Sequence, residues 1–172
     1  ATRVAVFTSN DSGWLTARDL NQKGIDVAAI IDIRKKEEHQ EIAKKNTRIP
    51  VYSEDQIIKV HGHNRVKAIS LLNGAKINVD SIAVSGGWNP SIHLTCQHRQ
   101  RPIWNEVISG FIANEAELPS GMKVAGAAKG IYATNLVLQD AMNQANAVLS
   151  ELGHAPTKMM IPLANDDTYR GK

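Results

Sequence analysis

Two short apolar runs, RVAVF at residues 3–7 and VAAIID at residues 27–32, are separated by one cluster of turn residues and one helix-length segment. The runs are rich in β-branched residues and too short for helices. The intervening WLTARDLNQK carries Leu15 and Leu20 among helix formers and stops at Gly24. Strand, helix and strand within about thirty residues make a β-α-β unit, whose two strands must lie parallel with the helix packed on one face. That arrangement commits the chain to a layered α/β fold. A charged helical segment at residues 35–45 follows and ends before Pro50. The stretch VYSEDQIIKVHGHNRVKAISLLNG then reads as short strands around a turn at residues 62–65, with Gly74 closing the second strand. SIAVSGG is a further strand.

The second half is less regular. QHRQRP is a polar connection, EVISGFI reads as a strand, and KVAGAAKG reads as a short apolar strand entering a turn of small residues. A final helix over residues 132–152 places Leu136, Val137, Ala141, Ala145, Val148, Leu149 and Leu152 at helical spacing, with Gly153 and Pro156 as stops. Its apolar stripe calls for a sheet to cover it. The tail that follows has no period. The expected organisation is a Rossmann-like domain at 1–84, a second region at 85–153, and a tail or linker at 154–172.

Composition narrows the function classes. The 172 residues are 42% hydrophobic and 22% charged, with a formal net charge of +3, ordinary for a globular protein. Lys and Arg are scattered rather than striped, which points away from nucleic acid. No apolar run approaches the roughly 20 residues that span a bilayer, and residues 1–10 lack a signal peptide's pattern, so no membrane association and a cytoplasmic location are expected. The single cysteine, Cys96, excludes an intrachain disulfide, a Cys-x-x-Cys pair and a four-cysteine cluster within this chain. Redox chemistry here requires a bound organic cofactor.

Dinucleotide-binding turns place three glycines at G-x-G-x-x-G between strand and helix. Laid on FTSNDSG, that pattern falls on Thr8, Asn10 and Gly13, so only the helix-packing glycine is present. A side chain at Asn10 stands where pyrophosphate meets bare backbone, and Asp11 puts a carboxylate at the positive end of the helix. The turn is expected to be filled by the protein itself. Asp32, ending the second strand, stands near where an acidic residue would hold a ribose hydroxyl, or else it merely caps the strand.

The segment VDSIAVSGGWNPS drives an apolar strand directly into Gly86-Gly87, a Trp and an Asn-Pro turn. With VAGAAKG before the long helix, it resembles the second half of the two-dinucleotide-domain, disulfide-reductase-like flavoproteins. There an inserted NAD domain returns to the first domain through V-x-A-T-G-x-x-P-N. Ser85, Gly86 and Gly87 lie near the A-T-G positions. Gly126 matches the first residue of the family's closing Gly-Asp pair, with Ala127 where the flavin-binding Asp would be and Ala128 after it. The two motifs together are similar to the alpha subunit of heterotetrameric sarcosine oxidase and its amine-oxidising relatives, over nearly the whole of residues 1–153. The fold so implied is a Rossmann-like three-layer dinucleotide-binding domain, followed by the C-terminal remnant of a second FAD/NAD(P)-binding domain. That domain's own glycine turn is expected upstream and a folate-binding-like region downstream. The resemblance implies NAD in the full subunit, FAD and FMN in the complex, and a beta subunit and smaller subunits as partners. It also implies a small amine as substrate, folate in the complex, and oxidative demethylation with oxygen as acceptor. Its cofactor-facing residues would be Ser85, Gly86, Gly87, Gly126, Ala127, Ala128, Gly13 and Asp32. The alternative is a non-catalytic nucleotide-sensing or assembly module.

Other residues have simpler readings beside functional ones. His93, Cys96 and His98 are unlike structural zinc ligands in spacing. His61 and His63 read as solvated turn histidines, Trp88 and Trp104 as packed aromatics or base-stacking rings, and Lys129 as solvated or phosphate-facing. IRKKEEH, residues 33–39, reads as an exposed helix start with charges available for pairing. No nucleophile–base pair or carboxylate pair is present, so no catalytic residue is expected.

Overall fold

A computed structural model describes residues 2–45, 48–97, 99–162 and 164. The chain divides into two units, one running through Gly87 and the other beginning at Trp88.

In the first unit the β-α-β reading holds. Strand β1 (Arg3–Thr8), helix α1 (Asp11–Gln22) and strand β2 (Asp26–Asp32) are followed by a 3-10 turn (Lys36–His39) that runs into one turn of helix, α2 (Gln40–Ala43). Then come β3 (Val51–Ser53), β4 (Ile57–Gly62), β5 (Val66–Leu71), β6 (Lys76–Asn78) and β7 (Ser81–Ser85). Strands β3, β2, β1 and β7 form one sheet in that order, every pair parallel. Strands β4, β5 and β6 form a separate antiparallel meander.

Alternation along β1 and β2 sorts the core into two faces. Val4, Val6 and Ile30 pack with Trp14 and Ala17 of α1, Ile42 of α2 and Ile49. Ala5, Ala29 and Ile31 turn the other way and meet Ile69 and Leu71 of the meander, with Val79. The sheet therefore lies between a helical layer and the meander, the expected three-layer α/β domain. Helix α1 ends where sequence indicated, for a local reason. Gly24 takes the left-handed conformation (φ +80), its N–H donates to the Asn21 carbonyl, and the Ile25 N–H donates to the Leu20 carbonyl. This pair of bonds satisfies the last carbonyls of the helix, and only glycine adopts the required φ without strain.

The second unit holds α3 (His93–Cys96), the hairpin β8 (Ile103–Asn105) and β9 (Gly110–Ile112), 3-10 turns at Glu115–Glu117 and Gly126–Lys129, and the long helix α4 (Thr134–Glu151). EVISGFI is not one strand. The Asn105 side-chain oxygen accepts from the backbone N–H of Val107 (2.9 Å) and Ile108 (3.3 Å), which bends the chain and leaves Gly110 to begin β9. KVAGAAKG likewise has no strand, because Gly126 sits at φ +63 and starts a 3-10 turn.

Helix α4 spans almost the full expected range, yet none of its residues is buried. The chain after it turns back: Asn146 exchanges side-chain hydrogen bonds with the Thr157 carbonyl (3.1 Å) and N–H (2.9 Å). Leu138, Met142 and Leu149 then line a cavity of about 390 Å³ together with Met159, Met160 and Ile161. No helix of the described residues is long and apolar enough to cross a membrane.

Candidate functional site

The β1–α1 turn lies beside the C-terminal end of β7, the place where parallel α/β sheets open a ligand crevice. Here side chains close it. Asn10 is the N-cap of α1: its Oδ1 accepts from the Ser12 N–H (3.0 Å) and its Nδ2 donates to the Ser85 carbonyl (2.9 Å). That carbonyl also accepts from the Ser9 N–H (3.2 Å) and lies 3.1 Å from the Thr8 hydroxyl. The Ser85 and Ser12 hydroxyls share a 2.8 Å bond. Thr8 Oγ1 accepts from the Asn10 N–H at 3.1 Å. Thr8 and Asn10, at the two missing glycine positions, are both buried.

Gly13 does pack as its position predicts, although the close neighbour is local. A Cβ there would overlap the Thr8 side chain. The glycine is required because a threonine occupies the first position of the pattern.

The end of β2 is closed too. Asp32 is wholly buried. Its Oδ2 accepts from the Trp14 indole N–H (2.7 Å) and Arg34 Nη2 (2.8 Å), and its Oδ1 accepts from the Arg34 backbone N–H (2.9 Å). Arg34 Nη1 reaches Asp11 Oδ1 at 2.9 Å. Both oxygens of Asp32 are thus engaged inside the protein. Burial works against the Arg34 charge, but the hydrogen bonds and negative charges of Asp32 and Asp11 outweigh it and raise the guanidinium pKa above its ordinary value. Residues 33–39 are exposed as expected except at Arg34 and His39, which are both buried. Two-residue alternation was the available signal: extending β2 by one step puts residue 34 on the same side as residue 32.

Past Ser85, Gly86 and Gly87 are exposed. A side chain at Gly86 would meet nothing within 4 Å, while Gly87 adopts φ +100. This is bare backbone with space beside it.

In the second unit, the Gly126 N–H donates to Asp140 Oδ2 of α4 (2.8 Å). A Cβ at Gly126 would lie 2.9 Å from Val137 Cγ1, so only glycine lets the turn sit on α4. Lys129 Nζ pairs with Glu115 (3.1 Å) and Asp140 (3.3 Å), which replaces the solvated and phosphate-facing readings alike. Desolvation opposes ionisation of Asp140, but the Gly126 N–H and Lys129 prevail and hold its pKa below the ordinary carboxylate value. The same carboxylates raise the Lys129 pKa against its own desolvation. Ala127 is exposed and Ala128 half-buried, so the carboxylate absent at Ala127 is supplied to this turn by Asp140, directed at the Gly126 amide.

His61 belongs to β4 and shares a 2.8 Å hydrogen bond with Ser70 of β5, so it is not a solvated turn histidine. Trp104 packs edge-on against Phe111 across the hairpin (5.1 Å), and Trp88 is exposed. His98 lies outside the described residues, and among those described no three metal-ligating side chains come together.

No family model matches the chain. It is 31% identical over 152 residues, 87% of its length, to sarcosine oxidase subunit alpha of Rhizobium meliloti (strain 1021), and 23% identical over 143 residues to the protein of that name from Corynebacterium sp. (strain P-1). The chain spans 15% and 14% of those relatives. Among solved structures it shares its fold with L-proline dehydrogenase from P. horikoshii (TM-score 0.59, 18% identity, 91% of this chain and 27% of that one). LpdA from Mycobacterium tuberculosis (0.61, 13%, 92% and 36%) and a ferredoxin reductase from Rhodopseudomonas palustris (0.60, 15%, 93% and 43%) have the same fold. The chain is thus homologous to a segment of the sarcosine oxidase alpha subunit, as its glycine segments indicated.

Proposed function

We propose that this chain serves as a dinucleotide-fold segment of the alpha subunit of a sarcosine-oxidase-like oxidoreductase. The whole complex would demethylate an N-methyl amine oxidatively, with flavin and oxygen, and the beta subunit and smaller subunits would be its partners. The observation that carries this reading is the 31% identity sustained over 87% of the chain.

Within that enzyme the segment's part is to shape backbone rather than to perform chemistry. NAD does not fit the β1–α1 turn, because Asn10, Ser12 and Ser85 occupy one another and Asp11 and Asp32 are held by Arg34. FAD finds no ribose-binding carboxylate at Ala127, and the Gly126 amide is already bonded to Asp140. Ser85, Gly86 and Gly87 are the positions proposed to face a nucleotide held by other parts of the subunit, since the glycine backbone is exposed and Ser85, whose own carbonyl is held by Asn10 and Ser9, fixes where it leaves the sheet.

The same closed turn favours a second reading, an assembly module that has exchanged nucleotide for internal hydrogen bonds. Extraction of the full-length complex with mass identification of its cofactors tests the first reading. Flavin and nicotinamide nucleotide released in stoichiometric amounts, with sarcosine-dependent hydrogen peroxide, support it. A complex free of both leaves the assembly reading.

A further inference from the structure

The turn between β5 and β6 holds the only asparagine of the chain that is followed by glycine, Asn73-Gly74. The Gly74 N–H donates to the Leu71 carbonyl (3.0 Å) and the Leu71 N–H donates to the Ala75 carbonyl (2.8 Å). Leu72, Asn73 and Gly74 are thus the loop of a tight hairpin, with Gly74 in the left-handed conformation (φ +89) that such loops require. All of them are exposed. The Asn73 side chain lies along the backbone that follows it: its Oδ1 accepts from the Ala75 N–H at 2.8 Å. That bond holds the carboxamide alongside the Gly74 peptide. It also draws electron density toward Oδ1, which makes Cγ more electrophilic and stabilises an oxyanion formed there. Glycine has no Cβ to shield its own nitrogen from close approach.

We propose that Asn73 is a site of spontaneous covalent modification, deamidation through a cyclic imide. The Gly74 nitrogen, deprotonated by hydroxide, attacks Asn73 Cγ. The N–Cγ bond forms, the Cγ–Nδ2 bond breaks, and ammonia leaves with its third hydrogen taken from water. Water then opens the imide at either carbonyl. One opening gives aspartate, and the other gives isoaspartate, whose main chain runs through the former side chain. Either product adds a negative charge to this turn. The isoaspartyl form also lengthens the main chain by one carbon inside the loop that Leu71 and Ala75 close. Leu71 is wholly buried in the core between meander and parallel sheet, so the modification loosens a hairpin end that the first unit's packing relies on.

The test incubates the 172-residue chain at mildly alkaline pH, digests samples with pepsin in acid and identifies the deamidated peptides by mass. Isoaspartate is counted by enzymatic carboxyl methylation with a labelled methyl donor. Asn73 is expected to deamidate at least about tenfold faster than any other asparagine, with isoaspartate among its products. Gly74→Ala is expected to slow the reaction about tenfold or more, because a methyl group beside the nitrogen obstructs its attack. A Cβ at Gly74 meets nothing within 4 Å, so packing around the loop is left as it was. The proposal is overturned if Asn73 deamidates no faster than the other asparagines, if aspartate is its only product, or if Gly74→Ala leaves its rate unchanged. The ranking of rates within the parent chain decides the matter even if that variant does not fold.

Discussion

At Asp32 and Arg34 a carboxylate and a guanidinium are buried together, and each is stable there only because the other is present. Removing one partner strands a charge in the interior, which costs about 3–5 kcal/mol. Asp32→Asn and Arg34→Met are each expected to destabilise the first unit by that order in urea titrations. The double variant should lose less than the sum of the two, because neither of the two fully buried charges is then left without the other, and only the half-buried Asp11 loses its partner. Gly13 makes a second residue-scale case. Gly13→Ala pushes a methyl into Thr8 and is expected to cost about 1–3 kcal/mol. Adding Thr8→Gly should return part of that loss, since the overlap disappears. A Gly13→Ala variant as stable as the parent would show that Thr8 gives way, and that this glycine is not needed for packing.

Among the elements, the turn Gly126–Lys129 is held to α4 through Asp140 rather than through apolar burial, which α4 lacks. Its contribution should therefore follow pH. Asp140 has a lowered pKa in the fold, so its stabilisation is complete above the ordinary carboxylate value of 3.8 and is lost as pH falls through the depressed value. Lys129 has a raised pKa, so its share is complete below 10.5 and is lost as pH rises through the elevated value. Asp140→Asn should abolish the acid-side loss at this turn, read by hydrogen exchange of the Gly126 amide between about pH 2 and pH 5. Unchanged pH dependence in that variant would place the stabilisation elsewhere. Element type was largely legible before the structure: both strands of the β-α-β unit, the β4–β5 turn and α4 stand where periodicity put them. The β8–β9 turn was not legible, because it depends on one asparagine side chain reaching two amides rather than on any apolar period.

For the whole molecule, two consequences follow from how the apolar residues are distributed. Isothermal titration of the chain with NAD or FAD at micromolar concentrations should give no binding at the β1–α1 turn, whose donors and acceptors are already paired. A one-to-one isotherm abolished by Gly13→Trp would refute this. Hydrogen exchange should be slowest in β1 and β2, which carry the core, and much faster in α4, none of whose residues is buried. Amides of α4 as protected as those of β1 would mean that its tail contacts stabilise it far more than their exposure suggests.

The sequence alone determined the layered α/β class, because strand–helix–strand spacing with period-two and helical patterns admits few other folds. It also put the side chains of Thr8 and Asn10 at positions where a phosphate cradle presents bare backbone. Tertiary structure alone decided which groups occupy that turn. Ser85 lies far from Asn10 along the chain, and only the β1–β7 pairing brings its carbonyl to the asparagine amide. Burial of Arg34 and His39 was equally hidden. A charged or titratable side chain reads as exposed until its partner or its neighbouring layer is known, and both are properties of packing rather than of local order in the chain.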